Sequence, residues 1–266
     1  MIKTLQTENL TISYDEKIIV ENLNLSIPIG KITALVGANG SGKSTILKTL
    51  ARLLQPRNGH IFLDGKKIHQ YSTKEVAKKL AILPQNPIAP DGLTVSELVA
   101  YGRYLHQKSF STHSKEDFQI INWAIEATGL TAFEERPVDE LSGGQRQRAW
   151  IALALAQKTP ILLLDEPTTF LDMGHQLDVL KLIRKLNEEQ QRTIIMVVHD
   201  LNHATRFADH IVCIKNGEVR AEGNPVEVVT EPMLKEVFQI EATILNEPKT
   251  GLPVCIPTDS IAEENI

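Results

Sequence analysis

The sequence predicts an α/β fold built on a largely parallel sheet. Short apolar runs stop at glycine or acidic residues, capping signals open helical stretches between them, and the two kinds of segment alternate along the chain. Residues 2–14 alternate loosely and read as a strand. Residues 18–28 read as a second strand, with Leu23, Leu25 and Ile27 on one face. Residues 32–36 form an apolar run that stops at Gly37, as a buried strand would. A glycine-rich loop follows, then a helix predicted from residue 43 to about 54.

Residues 61–63 read as a strand ending at the turn dipeptide Asp64-Gly65. Ser72 with Glu75, and Thr94 with Glu97, have capping-box spacing and mark helix starts. From residue 94 to about 130 the pattern is mainly helical, with a break at 109–114. A further helix is expected to end near 157. Beyond it, strands are predicted at 161–164, 193–198 and 210–214, and helices at 175–189 and 201–207. Asn216-Gly217 signals a hairpin. The mostly helical block at about 86–159 reads as an inserted subdomain, and residues 227–238 have helical periodicity.

Composition narrows the functional classes. With 42% hydrophobic and 23% charged residues, the chain can bury a core and is not expected to be disordered. A net charge of -5 without any basic block disfavours nucleic acid as a partner. Two cysteines make no disulfide framework and fit a reducing compartment. No signal peptide is visible, and no apolar run approaches the ~18 residues of a membrane span. The reading is a soluble, cytoplasmic protein whose membrane role, if any, goes through a partner.

The run GANGSGKS at 37–44 satisfies the P-loop pattern, between an apolar strand and a helix. Its glycines let successive backbone N–H groups turn towards a polyphosphate, and the helix N-terminus adds donors and partial positive charge. Gly37, Asn39, Gly40, Ser41, Gly42, Lys43, Ser44 and Thr45 are the predicted cradle. Lys43 suits the terminal phosphates and Ser44 suits Mg²⁺. The strand ILLLDEP at 161–167 delivers two carboxylates to a sheet end. Asp165 suits the Mg²⁺ shell and Glu166 suits polarising a water as general base.

With LSGGQ at 141–145, ahead of ILLLDEP by one helix, the chain resembles the ABC ATPase superfamily from residue 2 to about 223. The resemblance implies a P-loop NTPase core at 1–240 with an antiparallel β subdomain and the inserted helical subdomain, then a short extension at 241–266. It implies that Ser142, Gly143, Gly144 and Gln145 form a second phosphate cradle. Tyr14 is implied as the aromatic that stacks on adenine. Gln85 is implied as the glutamine that touches Mg²⁺ or water and senses the γ-phosphate. Asp172, which also suits a helix cap, is implied as a carboxylate at a dimer interface, and His199 as the residue that contacts the γ-phosphate and holds Glu166 and water in place.

The implied cofactors are ATP and Mg²⁺. The implied partners are a second copy in the ATP-bound state, integral-membrane permease subunits and, indirectly, an extracytoplasmic solute-binding protein, with the chain on the cytoplasmic face of the membrane. The long heptads or zinc modules of DNA-repair relatives and the tandem cassettes of translation relatives do not occur here. LPQNPIAPDGLTVSELVAYGRYLHQ at 83–107 and TGLPVCIP at 250–257 resemble importers of iron-siderophores, haem and cobalamin. A zinc or manganese importer ATPase is the alternative.

Overall fold

The computed structural model describes residues 5–106 and 113–261. It divides into two compact units. Of the described residues, the first holds 5–70 and 193–261, and the second holds 71–106 and 113–192.

The first unit contains an antiparallel sheet of β1 (Leu5–Tyr14), β2 (Lys17–Ser26), β4 (Asn58–Leu63) and β5 (Lys66–Lys67), in the order β2-β1-β4-β5. Between β2 and β4 come β3 (Ile32–Val36) and α1 (Lys43–Leu50). β3 lies between two parallel partners, β8 (Thr193–Val197) and β9 (His210–Lys215). Every residue of β3 and β8 is buried, which explains why both read as mostly apolar runs, broken only by Thr33 and Thr193. Two side chains fasten the entry to β3: Thr193 Oγ1 accepts from the Gly30 N–H at 2.9 Å, and Asp209 Oδ2 accepts from the Ile32 N–H at 2.9 Å.

β9 turns back into the antiparallel β10 (Glu218–Gly223). Asn216 and Gly217 take φ of 51° and 78°, the left-handed pair that a tight hairpin requires. Asp64 and Gly65 do the same between β4 and β5, at 54° and 76°. The expected helix from 43 to 54 stops earlier, at Leu50, because Arg52 turns left-handed with φ 62° and ends the ladder.

The periodic stretch near the C-terminus is helical only in pieces, at Pro225–Val228 and Glu231–Met233, followed by a π-helical turn at Leu234–Phe238. An antiparallel hairpin follows, of β11 (Ile240–Asn246) and β12 (Pro253–Ser260), which sequence reasoning did not foresee. It docks on α7 (Leu201–Phe207) through one amide side chain. Asn202 donates to the Cys255 carbonyl at 3.0 Å and accepts from the Cys255 N–H at 2.8 Å.

The second unit pairs β6 (Leu80–Leu83) in parallel with β7 (Ile161–Asp165). Its helices are α2 (Thr73–Ala77), α3 (Val95–Tyr101), α4 (Lys115–Ala127), α5 (Gly143–Ala156) and α6 (Met173–Gln190). Both predicted capping boxes form, at Ser72 and Thr94, and a third at Ser114 opens α4. The expected break lies partly at 109–112, outside the described residues, and partly at 113–114, just before α4. No helix among the described residues is long and apolar enough to cross a membrane.

α3, α4 and α5 pack on one another. Gly102 permits the closest approach, since a Cβ there would meet the Leu153 carbonyl and the Ala156 side chain. Beside it Arg103 is 4% exposed and Asp117 6% exposed. The Arg103 Nε donates to Asp117 Oδ1 at 2.8 Å, and Nη1 donates to the Ala156 carbonyl at 2.8 Å. One guanidinium thus ties the end of α3 to both other helices.

Burial alone would raise the Asp117 pKa. Hydrogen bonds from Arg103 and Ser114 outweigh it and hold the carboxyl at about 2, below its ordinary 3.8. A depressed carboxylate stabilises the fold above its unfolded pKa, and that share disappears as pH falls through the folded value. Asp117→Asn is expected to lose about 3–5 kcal/mol at neutral pH, because it breaks a buried pair. In urea unfolding, the gap between wild type and D117N should narrow as pH falls from 4 towards 2. A constant gap would refute the charge assignment.

Candidate functional site

In the first unit, β3 delivers the glycine-rich loop and α1 begins directly after it. Gly37 has φ 148°, and a Cβ there would collide with the Ile214 carbonyl of β9. Only glycine fits, so the loop leaves β3 tight against the neighbouring strand. Gly40 and Gly42 are left-handed as well, at 77° and 100°. The Ala38 carbonyl accepts from the Ser41 N–H at 3.2 Å, and the Ser41 carbonyl accepts from Gly217 of the β9–β10 turn at 3.0 Å. The loop is therefore braced internally by the first bond and anchored to the β9–β10 turn by the second.

Lys43 is 4% exposed. Its ammonium donates to the carbonyls of Gly37 and Ala38, at 3.0 and 2.7 Å, and to Ser41 Oγ at 3.3 Å. A cation is thus fixed over a ring of backbone, with Ser44 and Thr45 half-buried in the first turn of α1. No acidic residue occupies that turn to oppose an anion. Asn39 and Gly40 are exposed on the loop. Tyr14 closes β1 and is 45% exposed, leaving a ring face available for stacking. His199 is exposed two residues beyond the buried β8, ahead of Asp200, which caps α7.

In the second unit, β7 ends in the buried Asp165, and Glu166 follows with φ 54°. A left-handed non-glycine residue carries about 1–3 kcal/mol of strain, characteristic of functional sites. The surroundings hold it there. The Glu166 carboxylate accepts from Gln85 Nε2 and from Thr169 Oγ1, the latter at 2.9 Å. Gln85 and Glu166, 81 residues apart in sequence, thus meet. Thr169 is an addition that sequence reasoning missed; its signal was its place three residues after Glu166.

The signature segment opens α5. Ser142 is the N-cap: its Oγ accepts from the Gln145 N–H at 3.3 Å, while Gln145 Oε1 accepts from the Ser142 N–H at 3.1 Å. Gln145 is therefore engaged by its own helix start. Arg146 donates to the carbonyls of Val138, Asp139 and Leu141 and pins the preceding turn. Gly143 is open, whereas a Cβ on Gly144 would clash with the His175 ring.

His175 is the second residue that the sequence did not single out. Asp172 caps α6 by accepting from the His175 N–H at 2.9 Å and also pairs with His175 Nδ1 at 2.7 Å. The backbone and ring hydrogen bonds from His175 hold the Asp172 carboxyl below its ordinary range. Asp172 and Gly144, assigned to separate motifs, are thereby linked through one imidazole.

The ABC transporter family model matches residues 20–169. The chain is 56% identical over 263 residues to the iron(3+)-hydroxamate import ATP-binding protein FhuC of Bacillus subtilis, covering 99% of this chain and 98% of that one. The chain belongs to the ABC transporter family. It is also 54% identical to the petrobactin import ATP-binding protein FpuD of Bacillus anthracis, over 97% of this chain and 94% of that protein. Among solved structures, a chain of an ABC transporter in an inward-facing conformation superposes with TM-score 0.84 at 28% identity, over 97% of this chain and 98% of that one. The ATP-binding cassette MJ0796, solved as a dimer bound to ADP and Pi, matches with TM-score 0.73 at 33% identity, over 83% of this chain and 98% of that one.

The chain is thus an ABC ATPase that binds ATP, and its signature glycine can be probed directly. In a helix, glycine to alanine gains at most about 1 kcal/mol, and less in the first turn where Gly144 lies, unless the new methyl clashes. Gly144→Ala is expected to destabilise the wild-type chain and to stabilise the His175→Ala chain by up to about 1 kcal/mol. Urea unfolding of the single and double variants measures both. The same sign of effect in the two backgrounds would show that the His175 ring does not limit the position.

Proposed function

We propose that this chain is the ATP-hydrolysing subunit of an importer for iron(III)-siderophore complexes. The observation that carries the reading is the 56% identity, over nearly the whole of both chains, to an iron(3+)-hydroxamate import ATP-binding protein. The chain contributes the chemistry of the nucleotide and leaves contact with the cargo to other subunits.

In this reading residues 1–240 form the ATPase domain, with a helical subdomain at about 86–159, and residues 241–266 form an extension. Gly37 to Thr45 cradle the phosphates, and Lys43 balances charge on the β- and γ-phosphoryl oxygens. Tyr14 stacks on the adenine. The Ser44 hydroxyl and Asp165 carboxylate are hard oxygen donors that fit Mg²⁺, with Gln85 reaching the ion or the water. When bound, Mg²⁺ neutralises charge that builds on the transferred phosphoryl group. Glu166 takes the proton of the attacking water. Its clamp by Gln85 and Thr169 supports the role, because a base held in one orientation spends no time in unproductive ones. His199 fixes the water and Glu166 in the reactive state.

Two copies form the working unit, with Ser142, Gly143, Gly144 and Gln145 of one facing the ATP of the other, and Asp172 at the interface. The dimeric cassette bound to ADP and Pi supports this arrangement. A membrane permease docks on the second unit. A cleft of about 310 Å³ beside α3, lined by Leu93, Glu97, Tyr101 and Tyr104, supports that surface. Tyr101 and Tyr104 are 57% and 71% exposed, the amphipathic aromatics that protein contacts favour. The chain then sits peripherally on the cytoplasmic face of the membrane, and a solute-binding protein on the far side delivers the chelate.

Glu166→Gln keeps the shape and removes the base. It is expected to bind ATP, to accumulate a nucleotide-bound dimer, and to turn over about 10²–10⁴-fold more slowly. Steady-state ATPase assays and gel filtration with MgATP test this, and wild-type turnover would remove Glu166 from the chemistry. Deletion of the gene should abolish uptake of labelled ferric hydroxamates. Normal chelate uptake together with a zinc or manganese defect would transfer the motor to a different cargo.

A further inference from the structure

The second unit carries a surface cleft of about 760 Å³ that the ATPase reading does not use. This is the size of small-molecule sites. Arg192, Lys158, Trp123, Gln119, Gln190 and Glu116 line it. Arg192 is 6% exposed, and its Nη1 is buried with no hydrogen-bond partner among the described residues. Guanidinium groups with five donors are rarely left in that state, because a buried unpaired charge is costly. Burial alone lowers the Arg192 pKa, to about 10, so the group stays cationic at neutral pH.

The backbone beneath Arg192 is fixed. Gln191 ends α6 with φ 52°, and Asn187 Nδ2 donates to the Arg192 carbonyl at 2.7 Å. The side chain is therefore presented to the cleft by a held backbone. Lys158, also left-handed at φ 56°, adds a second cation just past α5. Glu116 is the one lining carboxylate, exposed on the first turn of α4, where water screens it. The lining charges therefore sum to positive. Trp123 is half-buried one turn along the same face of α4 as Gln119, which sets an aromatic surface beside the cations.

We propose that this cleft binds a small organic anion: a carboxylate or phosphate group taken by Arg192 and Lys158, joined to a planar body that rests on Trp123. A planar guanidinium matches both oxyanions in two-point geometry, and the glutamine amides of 119 and 190 supply neutral donors at the sides. The site is separate in composition from the nucleotide motifs, and shares no residue with them.

The test uses the full chain with Trp150→Phe, which leaves Trp123 as the single tryptophan. Saturating ADP keeps the probes out of the nucleotide cradle. Phenyl phosphate, benzoate and neutral benzamide are titrated while Trp123 fluorescence is followed. The expected result is saturable quenching by one or both anions with Kd below about 1 mM, and none by benzamide. Which anion binds more tightly tells a phosphate ligand from a carboxylate. Adding Arg192→Met should weaken binding at least about tenfold. In the absence of probe it should leave the melting temperature unchanged or higher, because an unpaired buried charge has gone. Equal binding of benzamide, unaltered binding in the methionine variant, or no quenching by either anion would each overturn the proposal. A methionine variant that melts below its parent would overturn it too, by making Arg192 a structural residue.

Discussion

The glycine-rich loop can leave β3 only because Gly37 has no side chain. Its α-carbon lies so close to the Ile214 carbonyl of β9 that a Cβ would overlap it. Much of the first unit follows from that contact. β9 must be a parallel neighbour of β3, which requires the long connection through the rest of the chain. The turn after β9 must bend back at once, and its Gly217 N–H then reaches the Ser41 carbonyl. The loop so anchored holds its carbonyls around the Lys43 ammonium. A phosphate cradle made of backbone is rigid only if the backbone is fixed from outside, and two adjacent strands provide that fixing.

The second unit solves a related problem for a carboxylate. Glu166 sits in a strained left-handed conformation at the end of a wholly buried strand. The strain persists because hydrogen bonds from Gln85 and Thr169 hold the carboxylate, and β7, paired with β6, fixes the backbone before it. The signature segment uses the same economy of parts. A capping box fixes Ser142, Arg146 fixes the turn before it, and Gly144 lets the His175 ring lie against the helix. His175 in turn engages the carboxylate of Asp172. Gly144 and Asp172, 28 residues apart in sequence and in different motifs, are thus held together by the single side chain of His175.

The sequence alone determined the alternation of strands and helices, the glycine-rich loop, the paired carboxylates and the signature, because each is written in local spacing. Backbone donors need glycines at fixed intervals, and a buried parallel strand needs an unbroken apolar run. Capping boxes at Ser72 and Thr94 were equally local, since donor and acceptor lie three residues apart. Only the tertiary structure decided which residues meet across long separations. Thr169 and His175 look like ordinary polar residues until Glu166 and Gly144 stand beside them. The β11–β12 hairpin has weak alternation and acquires its place from Asn202, which lies 53 residues from Cys255. The early end of α1 depends on a left-handed turn at Arg52, a residue type with no local preference for it. Side chains that act at a distance leave no periodic mark, because their partners are chosen by packing, which the chain specifies only once it has folded.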